Sequence, residues 1–500
     1  MGQPTEPIEF GCEPAALGEK FEHSQPATNS VDPKIIRALS SICDTSVDSL
    51  DTAQHGRDWW PLPMHWSLAG VIPRRPSAVC RPTSTQQVSE IVRICAANDI
   101  ALTVSGGRSG VCGAAIPIFG GVVLDTTAMS GICEVDVESG IVEVLPGTFG
   151  PEFEDELRNR HRLTVGHFPQ SFEISTVGGW VACRGAGQFS TRYGKIEDMV
   201  VALEIVLADG SIIITGGAPA SAVGPDLTSI FVGSEGTLGV VTRVWLRAHP
   251  LPQHEHRAAY SFKTFDDGIN ACRDIIRAGV TPAVLRLYDQ FESARSHGAD
   301  GTLCTLLVLD TGDKIVIQAT MSVVESAVRR YGAIDGKVEL VDQWLAHRND
   351  TSALQALTRK GYIVDTMEVA APWSKLPAIV DAVRTALLKI PGTRAATCHL
   401  SHSYLDGACL YFTFAAEAES EKLESLYVAL WDAAQRSAIS AGSNISHHHG
   451  IGISRGRFMA ESLGGAFEIL KTLKAALDPL DILNPGKLGL PSRRGNVVWP

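Results

Sequence analysis

No run of about 18 apolar residues occurs in this chain, so nothing in it reads as a membrane-spanning helix. Clustered cations are missing as well: 43 basic residues are outnumbered by 55 acidic ones, giving a formal net charge of −12. Nucleic-acid partners depend on counterion release by grouped Lys and Arg, so none is expected. The eleven cysteines (Cys12, Cys43, Cys80, Cys95, Cys112, Cys133, Cys183, Cys272, Cys304, Cys398, Cys409) stand singly and in odd number, without the density of a disulfide framework. A reducing, cytoplasmic setting is the expectation. The first residues hold no apolar signal segment, and the final Val-Val-Trp-Pro is no peroxisomal address. Proline, 26 of 500 residues, is ordinary, whereas glycine at 47 exceeds the usual share of about 7%.

The surplus glycine sits in three places: Val-Ser-Gly-Gly-Arg-Ser-Gly from Val104 to Gly110, a long stretch between Phe168 and Asp198, and Gly-Ser-Glu-Gly-Thr-Leu-Gly from Gly233 to Gly239. Such loops let backbone approach a flat ligand closely. A Gly/Ser loop directly after a strand also offers several N–H groups at once, as a pyrophosphate without a metal requires, and the donors here are Ser105 to Gly110. The loop has neither the Lys-Ser/Thr of a Walker sequence nor the GxGxxG spacing of a Rossmann turn, which weakens ATP and nicotinamide readings. Alone it reads equally well as a tight surface turn; three such loops together point to one large cofactor.

With 45% hydrophobic and 20% charged residues, 500 residues can bury at least two cores. The pattern divides into an irregular extension, 1–75, rich in Pro and Trp and assigned no chemistry; a first domain, 76–250; a second α+β domain, 251–445; and a terminal segment, 446–500, packing back on the first. A helix is expected over 84–98, strands over 100–104, 121–124, 141–145 and 240–247, and a hairpin with strands 201–207 and 211–215 around Asp209-Gly210. Beyond Leu251, helices are expected near 271–278, 317–330, 376–388, 421–441 and 467–477, and strands near 303–309 and 410–415. The turn Asp481 to Lys487 is placed to lead back to the first domain.

Two features carry chemistry on their face. His447-His448-His449 is expected between a strand and the turn Gly450-Ile451-Gly452. Consecutive side chains of an extended segment face opposite sides, so at most two of these imidazoles should share a cavity; the plainer reading is a hydrogen-bonded structural cluster. Tyr411, alternating with Phe412, reads by itself as a core aromatic.

The succession Ser-Gly-Gly-Arg-Ser, Gly-His-Phe-Pro-Gln-Ser-Phe-Glu-Ile-Ser-Thr-Val-Gly-Gly-Trp, Tyr-Gly-Lys-Ile-Glu-Asp and Gly-Ser-Glu-Gly-Thr-Leu-Gly, with Ile445 to Gly452, resembles the vanillyl-alcohol-oxidase type of flavoprotein, and within it the alkyldihydroxyacetonephosphate synthases, from about Arg81 to Leu488. The resemblance implies an α+β fold with a two-subdomain FAD-binding domain and an α+β substrate (cap) domain. It implies FAD held by Thr103, Val104, Ser105, Gly106, Gly107, Arg108 and Ser109; by Gln170, Ser171, Ser175 and Thr176; by Cys183, Arg184, Gly185 and Ala186; and by Glu235, Gly236, Thr237, Leu238, Gly239, Val240 and Val241. Where covalent members carry a flavin-linking His, this chain has Arg108, so noncovalent FAD is expected, with Cys112 nearby. The resemblance makes Tyr411 a general acid/base, places His447, His448 and His449 at the active site, and gives Arg286 an anionic substrate group, where a surface salt bridge would otherwise be the reading.

The implied reaction exchanges the acyl group of acyl-dihydroxyacetone phosphate for a long-chain alcohol through an adduct at flavin N5, forming an ether-lipid precursor. The alternative is an FAD-dependent oxidase or dehydrogenase of a 2-hydroxy acid. Such dehydrogenases carry His-x-Gly-Asp-Gly-Asn and Glu-His-Gly metal ligands, matched here only by His402 to Gly407 and His448 to Gly450, without the Glu. No metal is expected, although three or four imidazoles could hold one. Leu354 stands where the family has a substrate-binding arginine, with Arg348 and Arg359 out of register, and His399 and His402 are further departures. The partner is a small-molecule or lipid substrate; peripheral membrane association and a homodimer are compatible with the sequence.

Overall fold

The computed structural model of the chain describes residues 3–21, 31–297, 301–417 and 419–497, so Val498 to Pro500 of the terminal Val-Val-Trp-Pro lie outside it. Among the described residues no helix is long and apolar enough to cross a membrane.

Three sheets position the site. The first joins β1 (Asp44–Ser46), β2 (Ala78–Arg81), β3 (Leu102–Ser105) and β4 (Val122–Asp125) in the order β1-β2-β4-β3; β2 and β3 run parallel to β4. Helix Thr85–Ala97 covers it, capped by Ser84, whose hydroxyl accepts from the Gln87 N–H, and buries Val88, Ile91, Val92 and Cys95. The terminal segment does return here: Leu483 bridges to Leu102 in parallel at the β3 edge.

The second sheet is antiparallel, β5 (Ile132–Asp136), β6 (Ile141–Val144), β7 (Val200–Val206), β8 (Ile212–Gly216) and β9 (Val240–Arg247), in the order β8-β7-β9-β6-β5. Strands β7 and β8 form the expected hairpin.

The third holds β10 (His254–Phe262), β11 (Val284–Tyr288), β12 (Cys304–Gly312), β13 (Ile334–Asp335), β14 (Tyr362–Pro372), β15 (Thr393–Ser403) and β16 (Gly407–Glu417), in the order β13-β10-β12-β11-β15-β16-β14. Alternation along these strands decides what each residue meets. Leu285, Leu287, Leu400, Leu410, Phe412 and Phe414 join a core with residues of helices Phe265–Arg277, Lys314–Arg330, Leu376–Leu388 and Leu423–Ala441. The intervening residues, Arg286, His399, Ser401, Tyr411 and Thr413, face a cavity.

Two expectations fail. The first 75 residues are not irregular: helices Pro33–Ser40, Ser49–Gln54 and Pro61–Leu68 form there, and β1 joins the first sheet. Proline, read as a sign of irregularity, opens two of these helices at the first position, where its missing N–H costs nothing. No strand precedes the His triplet either. The N–H groups of His447, His448 and His449 all donate to the Glu368 side chain, at 3.2, 3.1 and 2.8 Å to Oε1, and only Asn444 and His447 reach backbone carbonyls of β14, at Ala370 and Glu368, too few contacts to make a strand.

Candidate active site

One cavity of about 790 Å³ collects the three glycine loops, one face of the third sheet and part of the N-terminal segment. Of the residues expected to hold a cofactor, Val104, Ser105, Gly106, Gly107, Arg108, Ser109, Gln170, Ser171, Ser175, Thr176, Cys183, Gly185, Ala186, Glu235, Gly236, Gly239 and Val241 line it. Thr103, Arg184, Thr237, Leu238 and Val240 do not. Thr103 is buried within β3; Arg184 turns outward to Glu197, 3.1 Å away. The Thr237 hydroxyl is spent on the Ser234 carbonyl, and Leu238 and Val240 belong to two hydrophobic cores while Gly239 and Val241 between and beside them face the cavity.

Glycine at 106 and 107 is dictated first by chain packing. A Cβ on Gly107 would lie 2.1 Å from the Ile174 carbonyl oxygen, and one on Gly106 2.4 Å from the Thr176 hydroxyl. The first loop therefore presses directly on the Ser171 to Thr176 segment. Arg108 takes a left-handed φ of 54° and reaches His55 Nε2 at 2.6 Å, so the N-terminal segment, assigned no chemistry from sequence, braces this loop. Trp59 and Pro61 also line the cavity.

The reactive end is built on registered strand pairs. Tyr411 of β16 lies opposite His399 of β15 and Glu368 of β14, and His399 lies opposite Tyr288 of β11, which sets these side chains in one row. Tyr411 stacks on His399, ring centroids 4.7 Å apart, and donates to the Thr366 hydroxyl at 3.1 Å. Its ring also sits 6.0 Å from His448 and 5.5 Å from His449. Burial raises the phenol above its ordinary range, against the opposing hydrogen bond to Thr366, so it is protonated at neutral pH.

Arg286 is no surface salt bridge. It donates to Tyr288 Oη at 2.7 Å and to His399 Nε2 at 2.6 Å, inside the cavity. Because an arginine can only donate, His399 Nε2 accepts and the proton lies on Nδ1, 3.0 Å from Glu292 Oε1. Burial and Arg286 depress His399, consistent with a neutral ring.

Two of the three triplet imidazoles share the cavity, and those two are consecutive, so the segment does not alternate as an extended strand would. His448 and His449 line the cavity; His447 does not, its Nε2 meeting Tyr404 Oη at 2.6 Å and its Nδ1 meeting His448 Nδ1 at 2.8 Å. Burial holds His402, His447 and His448 well below the usual imidazole range, helped by His447, Lys195 and His449 respectively. Ring nitrogens of His402, His447 and His448 lie within 4.8 Å of one another, spacing a metal ion could use, although the Lys195 ammonium, donating to the His447 carbonyl at 2.7 Å, opposes a cation there.

Sequence reasoning missed what holds the triplet. Glu368, fully buried, accepts from all three amides and from the Ser446 hydroxyl, and pairs with buried Arg455. Burial by itself would raise the Glu368 carboxyl; Arg455 and His449 outweigh it and hold it well below the ordinary carboxylate range. On the other side Glu235 accepts from the Ile451 and Gly452 amides at 2.6 and 2.8 Å. An isolated Glu in a strand gives no sequence signal for such a role. Glu292, Ser401, Gln188 and His167 line the cavity as well and were not singled out from the sequence.

The cavity suits a large polar-edged cofactor. Ser105 Oγ, both ring nitrogens of His167, Gln188 Oε1 and Ser401 Oγ are buried without a hydrogen-bonding partner, and all five atoms belong to residues that line this one space. Buried polar atoms rarely stay unpaired, so the cavity awaits a ligand offering donors and acceptors along its length, as FAD does.

Comparisons with known proteins agree. Residues 76–216 match the family described as FAD binding domain, and residues 251–488 match FAD linked oxidases, C-terminal domain. The uncharacterized FAD-linked oxidoreductase YgcU of Escherichia coli O157:H7 is 31% identical over 433 residues, covering 83% of this chain and 89% of that protein. An alkyldihydroxyacetonephosphate synthase of Dictyostelium discoideum is 29% identical, covering 84% and 74%. A solved alkyldihydroxyacetonephosphate synthase structure superposes with a TM-score of 0.79 at 23% identity, covering 97% of this chain and 90% of that one.

Proposed function

From a chain that belongs to the FAD-linked oxidases, an enzyme family built on the two-domain FAD-binding fold expected above, we propose an enzyme of the alkyldihydroxyacetonephosphate synthase type. It exchanges the acyl group of acyl-dihydroxyacetone phosphate for a long-chain alcohol. The observation that carries this reading is a protonated Tyr411 set between His399, His448 and His449, in one cavity with Arg286 and with an apolar wall of Trp59, Val111, Ile174 and Leu354.

FAD, held by the three glycine loops, would supply the electrophilic chemistry of its isoalloxazine ring. Each remaining step falls to the chain. Arg286, fixed by Tyr288 and His399, offers a cation to an anionic substrate group. Tyr411 begins protonated, so it can give its proton to the departing carboxylate and recover one from the incoming alcohol. Neutral His448 can relay that proton. The apolar wall would accommodate an alkyl chain and exclude water. We read FAD attachment as noncovalent: Arg108 is committed to His55, Cys112 does not line the cavity, and burial pushes the Cys183 thiol up to about 12, away from thiolate chemistry.

Oxidation of a 2-hydroxy acid is the second reading, favoured by one observation: the cation of Arg286 and neutral His448 face the same cavity, a pairing that also fits a carboxylate beside a hydroxyl. There neutral His448 would accept the hydroxyl proton.

Anaerobic addition of each substrate class to the holoenzyme separates the two. The synthase reading predicts a spectral change with acyl-dihydroxyacetone phosphate that is reversed by a long-chain alcohol. Bleaching by 2-hydroxy acids, with no response to the acyl ketone, overturns it.

A further inference from the structure

His167 is 2% exposed, lines the cavity, and has both ring nitrogens without a partner. Its ring lies against Trp180, centroids 4.7 Å apart. Nε2 is 3.7 Å from where a Gly185 side chain would begin, and that same point is 3.5 Å from Cys183 Sγ; a Gly450 side chain would in turn meet Cys183 Cβ at 3.6 Å. His167 thus stands where the 183–186 segment meets the loop after the His triplet, at the reacting end of the cavity. Burial, reinforced by Lys195, pushes its pKa down to about 3, so the ring is neutral.

A neutral imidazole presents one donor and one acceptor. An anion would find no charge there to recognise. The isoalloxazine, in contrast, has a polar edge of alternating carbonyl oxygens and an N–H, and either nitrogen of His167 has a match on it. We propose that His167 is a hydrogen-bonding contact to the polar edge of the flavin ring and thereby tunes its reactivity. Gln188 Oε1, orphaned in the same cavity and carried by a residue whose amide donates to the Phe168 carbonyl, adds a second acceptor nearby. The inference rests on FAD as cofactor and on neither reaction proposed above.

The test compares wild type with His167→Ala, His167→Phe and His167→Gln. Apoprotein is titrated with FAD by fluorescence, and the two-electron potential of each bound flavin is measured. Ala and Phe should bind FAD roughly tenfold more weakly, as expected for a lost buried hydrogen bond. A tenfold shift in the relative binding of oxidised and reduced flavin appears as about 30 mV. Gln, which keeps a donor and an acceptor, should recover affinity to within about threefold. Wild-type affinity and potential in both Ala and Gln variants would reduce His167 to wall packing and overturn the proposal, even if the Phe variant fails to fold. Failure of the wild-type chain to take up FAD would instead defeat the cofactor assignment itself.

Discussion

At the scale of single residues, the glycine of the first loop is required by the packing of the chain itself. Any side chain at 107 meets the Ile174 carbonyl at 2.1 Å, so Gly107→Val should displace the loop and abolish FAD binding, visible as a colourless purified protein; a yellow variant would contradict the placement. Tyr411→Phe removes a hydroxyl bound only to Thr366 while keeping the stack on His399. It should keep FAD and lose turnover by about 10²-fold or more, as expected for a general acid; near-normal activity would remove Tyr411 from the chemistry. That both positions line one cavity was legible in the sequence, because glycine clusters and a Tyr within a recognisable motif are visible there. Leu238 and Val240 pack into cores while Gly239 and Val241 line the cavity, a division that a motif of consecutive residues does not show.

At the scale of elements, the loop carrying the triplet is clamped between carboxylates from two different sheets' surroundings, Glu368 in β14 and Glu235 in the third glycine loop. Removing Glu368 strands buried Arg455 and four donors. Glu368→Ala should cost about 3–5 kcal/mol by denaturant unfolding, the usual result of leaving a buried charge unpaired; a loss under about 1 kcal/mol would mean the clamp is redundant. Strands and helices of the third sheet were readable from periodicity, since Leu410, Phe412 and Phe414 must find a core. The clamp was not, since its contacts join residues about 80 and 220 positions apart in sequence. The missed N-terminal helices have the same origin in part: Trp60 is fixed by a hydrogen bond to Tyr427, a partner no local pattern announces.

At the scale of the whole molecule, buried ionisable groups tie the terminal turn to the cofactor domain. Burial pushes Glu235 and Asp58 up to about 7, and Lys487, donating to the Ile116 carbonyl, down to about 7. A carboxyl raised in the folded state stabilises below its unfolded pKa, and that contribution is lost as pH rises toward 7. Glu235→Gln should therefore gain stability relative to wild type between about pH 5 and 7.5, followed by thermal unfolding across that range; a pH-independent difference would show that Glu235 stays ionised in the fold. The division into 76–250, 251–445 and a returning tail remains our proposal for how the chain is organised. The structure of the FAD-bound protein tests the account most directly. It should place the flavin ring between the 183–186 segment and Tyr411, with His448 and Arg286 on the side open to substrate; a flavin bound elsewhere, or turned with its ring away from Tyr411, would contradict it.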